Sequence, residues 1–354
     1  MTQVIPLPDT PCLIVDLQVV AQNISRFQSL ANAAGLKARP HMKTHKLPQV
    51  ARMQIDAGAI GLTCQKIGEA EVMADAGIDD ILITYNIIGQ SKLARLVALA
   101  GRCRLSVTCD SLAVAQGLSA AFAANGSTLD VLVECDTGAG RCGVQSPAAA
   151  ADLARQIADL AGLRFAGLMT YPPMTAPEAV ETWLVQAREA VAAKGLTCDV
   201  ISTGGTPNLG DLGAFAQATE HRAGTYVYND RSLIARGACT VEDCAGLVHA
   251  TVVSRPTPGR AILDSGSKTL SSDQLGLEGY GLIREAPGAM IAALSEEHAT
   301  VELGDSGWHP QVGDRVTIVP NHVCVVTNLF DSLYLRHADG HFEEVAIPAR
   351  GKLR

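Results

Sequence analysis

The sequence predicts a (β/α)8 barrel of the TIM type followed by a smaller, mostly antiparallel β domain. Two observations carry this. From residue 11 to about 235, short apolar runs of β type alternate with longer Ala/Leu/Arg/Glu stretches of helical spacing, with runs starting roughly every 20 to 35 residues. Beyond that point helical stretches become rare, and short β-rich runs separated by turn signals take over. No GxGxxG follows the first run, which weighs against an open dinucleotide-binding sheet. The expected domains are 11–235 for the barrel and 236–354 for the β domain, with residues 1–10 adding a strand to the latter.

The barrel runs, in order, are PCLIVDL, KARPHMK, AIGLTC, DDILITY, CRLSVTC, LDVLVEC, RFAGLMTY, DVISTGG and HRAGTYV. Between them lie helical stretches such as VAQNISRFQSLANAAG, LPQVARMQIDAG, IGEAEVMADAG and PAAAADLARQIADLAG, the first ending in a C-cap glycine. The β domain is read from GLVHATVVSR, GRAILDSGS, ATVELG, DRVTIVPNHVCVVTNL, SLYLRH and FEEVAIP, with PTPGR, HADGH and GDSG as turns.

Composition narrows the function classes. The chain has 354 residues, 47% hydrophobic and 18% charged, so it has ample material for a core. A formal net charge of -8 argues against a nucleic-acid or anionic-membrane partner. No apolar run reaches the about 20 residues that span a bilayer, and the N-terminus has neither the basic nor the apolar region of a secretory signal. A cytoplasmic protein is expected. The 10 cysteines include no CxxC pair; nine are read as reduced, buried small hydrophobes, and Cys324 is set apart.

In such barrels functional groups gather at the C-terminal ends of the strands. RPHMKTHK ends the second run, and strand alternation would put His41, Lys43 and His45 on one face. Facing the barrel interior, Lys43 would be desolvated, its pKa lowered, and fit to act as a Schiff-base nucleophile; facing outward it would be a solvated loop lysine. ECDTGAGRCGV brings glycines that let a ligand approach the backbone and Arg141 with its planar donor fork. STGGTPN, with Thr203, Gly204, Gly205 and Thr206, exposes successive N–H groups before a helix, and AGTYVYND offers Gly224, Thr225 and Tyr226 in the next loop. Together they read as one phosphate cradle. In PNHVCVV, His322 and Cys324 at i and i+2 of a strand would share a face, as two zinc ligands of an open site or by accident of spacing. Asp264, Lys268 and Asp273 in LDSGSKTLSSD read either as site-lining groups or as a turn with solvated charges.

These segments occur together and in order, and the chain resembles the fold-type III pyridoxal-phosphate enzymes, the alanine racemase-like barrel, in particular the D-threonine aldolase and D-serine dehydratase group. TPCLIVDL, RPHMKTHK, CQKIGEAEVM, DTGAGRCGV, STGGTPN, AGTYVYND, LDSGSKTLSSD and PNHVCVV carry the resemblance over essentially the whole chain. It implies Lys43 as the Schiff-base lysine and Arg141 near the phenolic oxygen of pyridoxal 5'-phosphate. It also implies Gln65 and Tyr171 as cofactor contacts, Thr203, Gly204, Gly205, Thr206, Gly224, Thr225 and Tyr226 around the phosphate, and Arg222 facing the pyridine nitrogen. His322 and Cys324 match the metal ligands of zinc D-serine dehydratases, for zinc, manganese or magnesium, whereas aldolases more often pair His with Asp. The resemblance further implies a homodimer acting on a small D-amino acid. One departure concerns the base: relatives carry a polar Tyr-His-Gly-type loop where this chain has Pro172 and Pro173 after Tyr171.

The implied activity is a metal-assisted lyase on D-β-hydroxy-α-amino acids, with retro-aldol cleavage to glycine and an aldehyde ahead. Dehydration of D-serine or D-3-hydroxyaspartate to a 2-oxo acid and ammonia is the alternative. A racemase is a third reading; it needs a second acid/base such as Tyr280 and leaves the His322–Cys324 pair without a role. A barrel that only carries the cofactor would not need the β domain.

Overall fold

A computed structural model describes residues 8–354, which divide into two compact units. One comprises residues 25–43, 47–224 and 352–354; the other comprises residues up to 24, 44–46 and 225–351. The expected strand in the first ten residues falls mostly on residues 1–7, outside the described residues.

The first unit is a curled parallel sheet of eight strands: Lys37–Ala38, Leu62–Cys64, Asp80–Ile83, Arg104–Cys109, Leu129–Cys135, Leu163–Thr170, Val200–Gly204 and Glu220–Arg222. Each arises from one of the apolar runs between KARPHMK and HRAGTYV. Glu220–Arg222 pairs with both Val200–Gly204 and Lys37–Ala38. The remaining gap is closed by a bridge between His41 and Thr63, where Met42 N–H donates to Thr63 (3.0 Å) and Thr63 N–H donates to the Pro40 carbonyl (2.8 Å). Three of the helices between the strands, Pro48–Asp56, Pro147–Asp159 and Pro177–Ala193, start on proline, where the missing N–H costs nothing.

Alternation along the strands sorts the barrel lumen. Arg39 at the N-terminal end is buried against Asp80 (2.6 Å) and Glu220 (2.8 Å), a paired charge layer that plugs that end. Above it Leu82, Leu132, Ala166 and Met169 form an apolar layer. Leu163–Thr170 reaches this layer through a bulge, with the register slipping between Val131 and Leu132 of its partner strand. The slip turns Met169 and then Tyr171 toward the lumen, where unbroken alternation from Arg164 would send Leu168 and Thr170. Gly167 makes it feasible: at φ 147° a Cβ would lie 1.8 Å from the Val200 carbonyl oxygen.

The run PCLIVDL departs from the expected barrel series. Cys12–Asp16, buried along its whole length, pairs antiparallel with Gly246–Thr257 and parallel with Ser332–Arg336 in the β unit. That sheet runs Met290–Leu294, Ala299–Glu302, Arg260–Leu263, Gly246–Thr257, Cys12–Asp16, Ser332–Arg336, Phe342–Ala346, with Arg315–Val319 and Leu282–Ile283 branching from Gly246–Thr257. Every other pairing in it is antiparallel. The run DRVTIVPNHVCVVTNL is not one strand: after Arg315–Val319 the chain turns and forms the helix Val323–Leu329. The cysteines also divide further than expected, since Cys142 is exposed on a glycine-rich loop and Cys103 and Cys198 are half-buried. Among the described residues no helix is long and apolar enough to cross a membrane.

Gly167→Ala should therefore cost roughly 2–4 kcal/mol of stability, by forcing the backbone off the Val200 carbonyl. Gly210→Ala, where a Cβ meets no neighbour within 4 Å, should stay within about 0.5 kcal/mol. Urea unfolding of the two variants measures the contrast.

Candidate active site

At the C-terminal ends of the barrel strands the polar side chains are held from strand to strand. Lys43 does not lie on a strand as expected. The first strand stops at Ala38, His41 makes only the closing bridge, and residues 42–45 form a turn. Lys43 is half-buried, and its N–H donates to His41 Nδ1 at 3.2 Å. His41 Nε2 meets Gln65 Oε1 at 3.2 Å, and Gln65 Nε2 donates to the Thr84 carbonyl at 2.8 Å. His45 falls in the other unit, so the three basic residues do not share a face.

Glu220–Arg222 separates its side chains by alternation. Glu220 and Arg222 face the lumen; His221 faces outward, edge-on to Phe27 at 6.1 Å between ring centres. Arg222 is buried and donates from Nη1 to Ser202 Oγ (2.6 Å) and from Nη2 to the Thr170 carbonyl (2.9 Å), with Met169 Sδ at 3.2 Å. Burial lowers its pKa to about 10, partly offset by Glu220 and Glu134, so it remains cationic at neutral pH. Among the described residues none of its direct partners is a carboxylate. A buried guanidinium bound only to neutral acceptors suits a ligand that presents one more acceptor, such as an unprotonated pyridine nitrogen.

The glycine loop after Val200–Gly204 is pinned from the same strand. Gly205 N–H donates to the Arg222 carbonyl (2.8 Å), and the Gly205 carbonyl lies 3.1 Å from His221 Nε2. Gly205 sits at φ 119°, where a Cβ would meet Asn208 Oδ1 at 2.8 Å. The loop leads into the 3-10 helix Thr206–Ala214, a geometry that fits a phosphate. The Thr203 hydroxyl, expected at the phosphate, lies on the outer face and is 3.1 Å from His221 Nδ1. Thr225 and Tyr226 fall in the other unit, and Gly224 stays with the barrel.

Arg141 is exposed on its loop, 4.8 Å above the Tyr171 ring and 3.9 Å from Glu134 Oε1. Asp136 shapes that loop by accepting from the N–H groups of Gly138 (2.9 Å) and Gly140 (3.1 Å). Glu134 was not singled out by sequence reasoning. Its signal was parity: Asp130, Leu132 and Glu134 alternate onto the lumen side. Burial raises its pKa, against the pull of Arg141 and Arg222.

In the β unit, His322 and Cys324 meet by a different route from the one expected. His322 is the N-cap residue and Cys324 sits in the first turn of Val323–Leu329. Asp273 Oδ2 lies 2.6 Å from His322 Nδ1, which leaves Nε2 for a metal and orients the ring as second-shell carboxylates do. Of the acidic and basic groups in LDSGSKTLSSD, Asp273 alone joins the pair. Asp264 accepts from Thr251 N–H and the Thr10 hydroxyl, and Lys268 pairs with Glu296 and Glu297. Cys324 Sγ lies 3.1 Å from the hydroxyl of Thr44, the residue after Lys43 in sequence, and 3.6 Å from that of Thr225. Asp230 anchors the turn by accepting from Val323 N–H at 3.2 Å. Burial lowers the His322 pKa, but Cys324, Asp273 and Asp230 outweigh it and hold it at about 9. Imidazole and thiol with an oriented ring fit a divalent metal of borderline softness. Among the described residues no three or more His, Cys, Asp or Glu side chains converge as a metal cluster, so the pair stands as two donors.

Comparison with known proteins points the same way. Residues 15–232 match the alanine racemase N-terminal domain family, and residues 245–336 match a serine dehydratase domain family. A D-threonine aldolase of Arthrobacter sp. is 36% identical, over 97% of this chain and 93% of its own length. The chain belongs to the fold-type III pyridoxal-phosphate family of D-threonine aldolase and D-serine dehydratase. A D-threo-3-hydroxyaspartate dehydratase of Delftia sp. is 33% identical, over 94% of this chain and 95% of its own. A D-threonine aldolase structure from Filomicrobium marinum superposes with a TM-score of 0.91 at 33% identity, covering 99% of this chain and 98% of that one. A cysteine-to-alanine variant of a D-threo-3-hydroxyaspartate dehydratase, described as the metal-free form, superposes with a TM-score of 0.84 at 32% identity, covering 96% and 97%.

His221 makes the family's barrel acid-sensitive in this chain. Burial lowers its pKa from 6.5 to about 4. Between these values the unfolded chain binds a proton that the folded chain does not, so stability falls as pH drops from about 6.5 toward 4. His221→Gln should remove about 2 kcal/mol of the loss between pH 7 and pH 5. Urea unfolding at the two pH values, wild type against variant, measures it.

Proposed function

We propose that this protein is a pyridoxal-phosphate- and divalent-metal-dependent lyase that splits D-β-hydroxy-α-amino acids of the D-threonine type, by retro-aldol cleavage, into glycine and an aldehyde. The metal-dependent lyase rests on the Asp273–His322 bond beside Cys324, and the 36% identity to a D-threonine aldolase supports retro-aldol cleavage. A ring oriented next to a thiol suits a metal acting on a hydroxyl, which racemisation does not require.

Lys43 Nζ would hold the cofactor, with Arg222 at its ring nitrogen and Gly204, Gly205 and Thr206 at its phosphate. When bound, pyridoxal phosphate supplies an electron sink for the pair released as a bond to Cα breaks. His322 and Cys324 would hold the metal, whose chemistry is Lewis-acid polarisation of an oxygen. Arg222, cationic and buried, would disfavour a proton on a ring nitrogen held against it. Lys43 Nζ would be the group placed to hold or return a proton at Cα. Asp273 would hold one His322 proton on Nδ1, so that a metal would need to displace only the proton on Nε2. Gln65, expected as a cofactor contact, would also act through its bond to His41. A homodimer and a cytoplasmic location belong to the same reading, supported by the family resemblance.

Dehydration is the second reading, favoured by Cys324 itself, because the family's dehydratases pair His with Cys. Under it Lys43 would take the Cα proton, the β-hydroxyl would leave as water, and the released enamine, after tautomerising to an imine, would be hydrolysed by a water molecule to a 2-oxo acid and ammonia.

Purified protein with pyridoxal phosphate and zinc or manganese, given D-threonine, should release glycine and acetaldehyde. Ammonia and a 2-oxo acid from D-serine or D-3-hydroxyaspartate would move the assignment to the dehydratase, and exchange of enantiomers without cleavage would contradict both. Lys43→Ala should lower kcat/KM by about 10³-fold or more. His322→Ala and Cys324→Ala should each reduce the metal retained after dialysis, measured by atomic absorption.

A further inference from the structure

We infer that His41, held by Gln65, is a positioning residue that fixes the main chain of Lys43 and thereby aims its amine at the cofactor. This rests on the reading of Lys43 as the cofactor lysine. The sheet does not provide the aim: the first barrel strand ends at Ala38, and Lys43 stands in a turn after a single bridging residue. What holds its peptide is a side chain two residues earlier. The Lys43 N–H can only donate, so His41 Nδ1 must be a bare acceptor. The proton therefore sits on Nε2, which donates to Gln65 Oε1. The Gln65 carboxamide is oriented in turn, because its NH2 end donates to the Thr84 carbonyl. Its main chain is tied down as well, with Gln65 N–H and Lys66 N–H both donating to Glu69 Oε2 at the start of Ile67–Asp75.

The relay links three successive strand ends, at residues 41, 65 and 84, and every donor in it meets an acceptor. His41 is 7% exposed, so water does not compete freely for the ring. An imidazole protonated at Nδ1 would set two N–H groups against each other at Lys43, and a ring turned over would face the Lys43 N–H with a C–H. One tautomer and one orientation satisfy the chain of bonds, and Gln65 selects them.

Two nearly isosteric substitutions separate the links. In His41→Asn the carboxamide oxygen can take the place of Nδ1 and accept from Lys43 N–H. In His41→Gln the side chain reaches Gln65 but offers no acceptor at Lys43. Each protein is titrated with pyridoxal phosphate, and the pyridoxyl group fixed on the Lys43 peptide by borohydride is measured by mass spectrometry. The expected result is about tenfold weaker apparent affinity and a proportionate loss of trapping in His41→Gln, with His41→Asn within about twofold of wild type and thermal unfolding of both close to wild type. Equal loading in both variants, or equal loss in both, would overturn the inference. Failure of the wild type itself to be trapped at Lys43 would overturn the reading of Lys43 and the inference with it.

Discussion

Closure of the parallel sheet between Pro40, Met42 and Thr63 is the constraint on which the barrel's chemistry depends. These main-chain hydrogen bonds join the first strand to the second where neither continues as a regular ladder. Once they form, alternation leaves little freedom. Arg39 goes to the plugged end of the lumen, His41 to the interior above it, and Lys43 beyond the last bridge. On the neighbouring strand the same rule places Glu220 low and Arg222 high, two residues apart, with Ser202 bonded to both. The lumen thus carries paired charge at one end and a cation with neutral partners at the other, separated by Leu82, Leu132, Ala166 and Met169. Arg222 meets the Arg39–Glu220 pair only through the Ser202 hydroxyl, with no carboxylate of its own, which leaves its remaining donor capacity to the strand mouth.

Much of this was legible in the sequence because period and polarity report burial. The eight barrel strands are visible as apolar runs with Lys43 and the glycine loop at their ends, whereas Arg222 is singled out only by the family resemblance. What could not be read were places where a local rule gives way. PCLIVDL has the composition of a central strand and is one, but nothing in it says which sheet it joins; its partners lie more than 200 residues away. PNHVC was read as strand because the apolar run before it is strand, whereas Asp230 captures the Val323 N–H and lets a helix begin at His322. Thr203 looked like a phosphate contact from composition, yet one step of alternation turns it outward to His221. Glu134 was hidden inside an apolar run whose parity, not whose polarity, places it in the lumen. Tyr171 reaches the mouth through a bulge that only Gly167 announces.

The β unit solves a different problem from the barrel. Two soft ligands next to each other would be mobile on an open strand. Here they sit at a helix start whose N–H is taken by Asp230, with Asp273 on the far nitrogen of the ring and hydroxyls of Thr44 and Thr225 beside the sulfur. The orienting groups come from segments that the sequence scatters between residues 44 and 273; of them the sequence marks only Asp273, as one of three candidate site-lining charges, and Asp230 and Thr44 carry no such mark. His–Cys rather than His–Asp bears on which bond breaks, and the barrel features described above serve either reaction.

The most direct test of the account is a crystal structure of the protein grown with pyridoxal phosphate. The account requires continuous density from Lys43 Nζ to the C4' carbon of the cofactor, an Arg222 nitrogen within hydrogen-bond distance of the ring nitrogen, and the phosphate seated against the Gly204–Gly205 loop. A cofactor seated elsewhere, or one bound in the barrel with Arg222 turned away from its ring nitrogen, would contradict it.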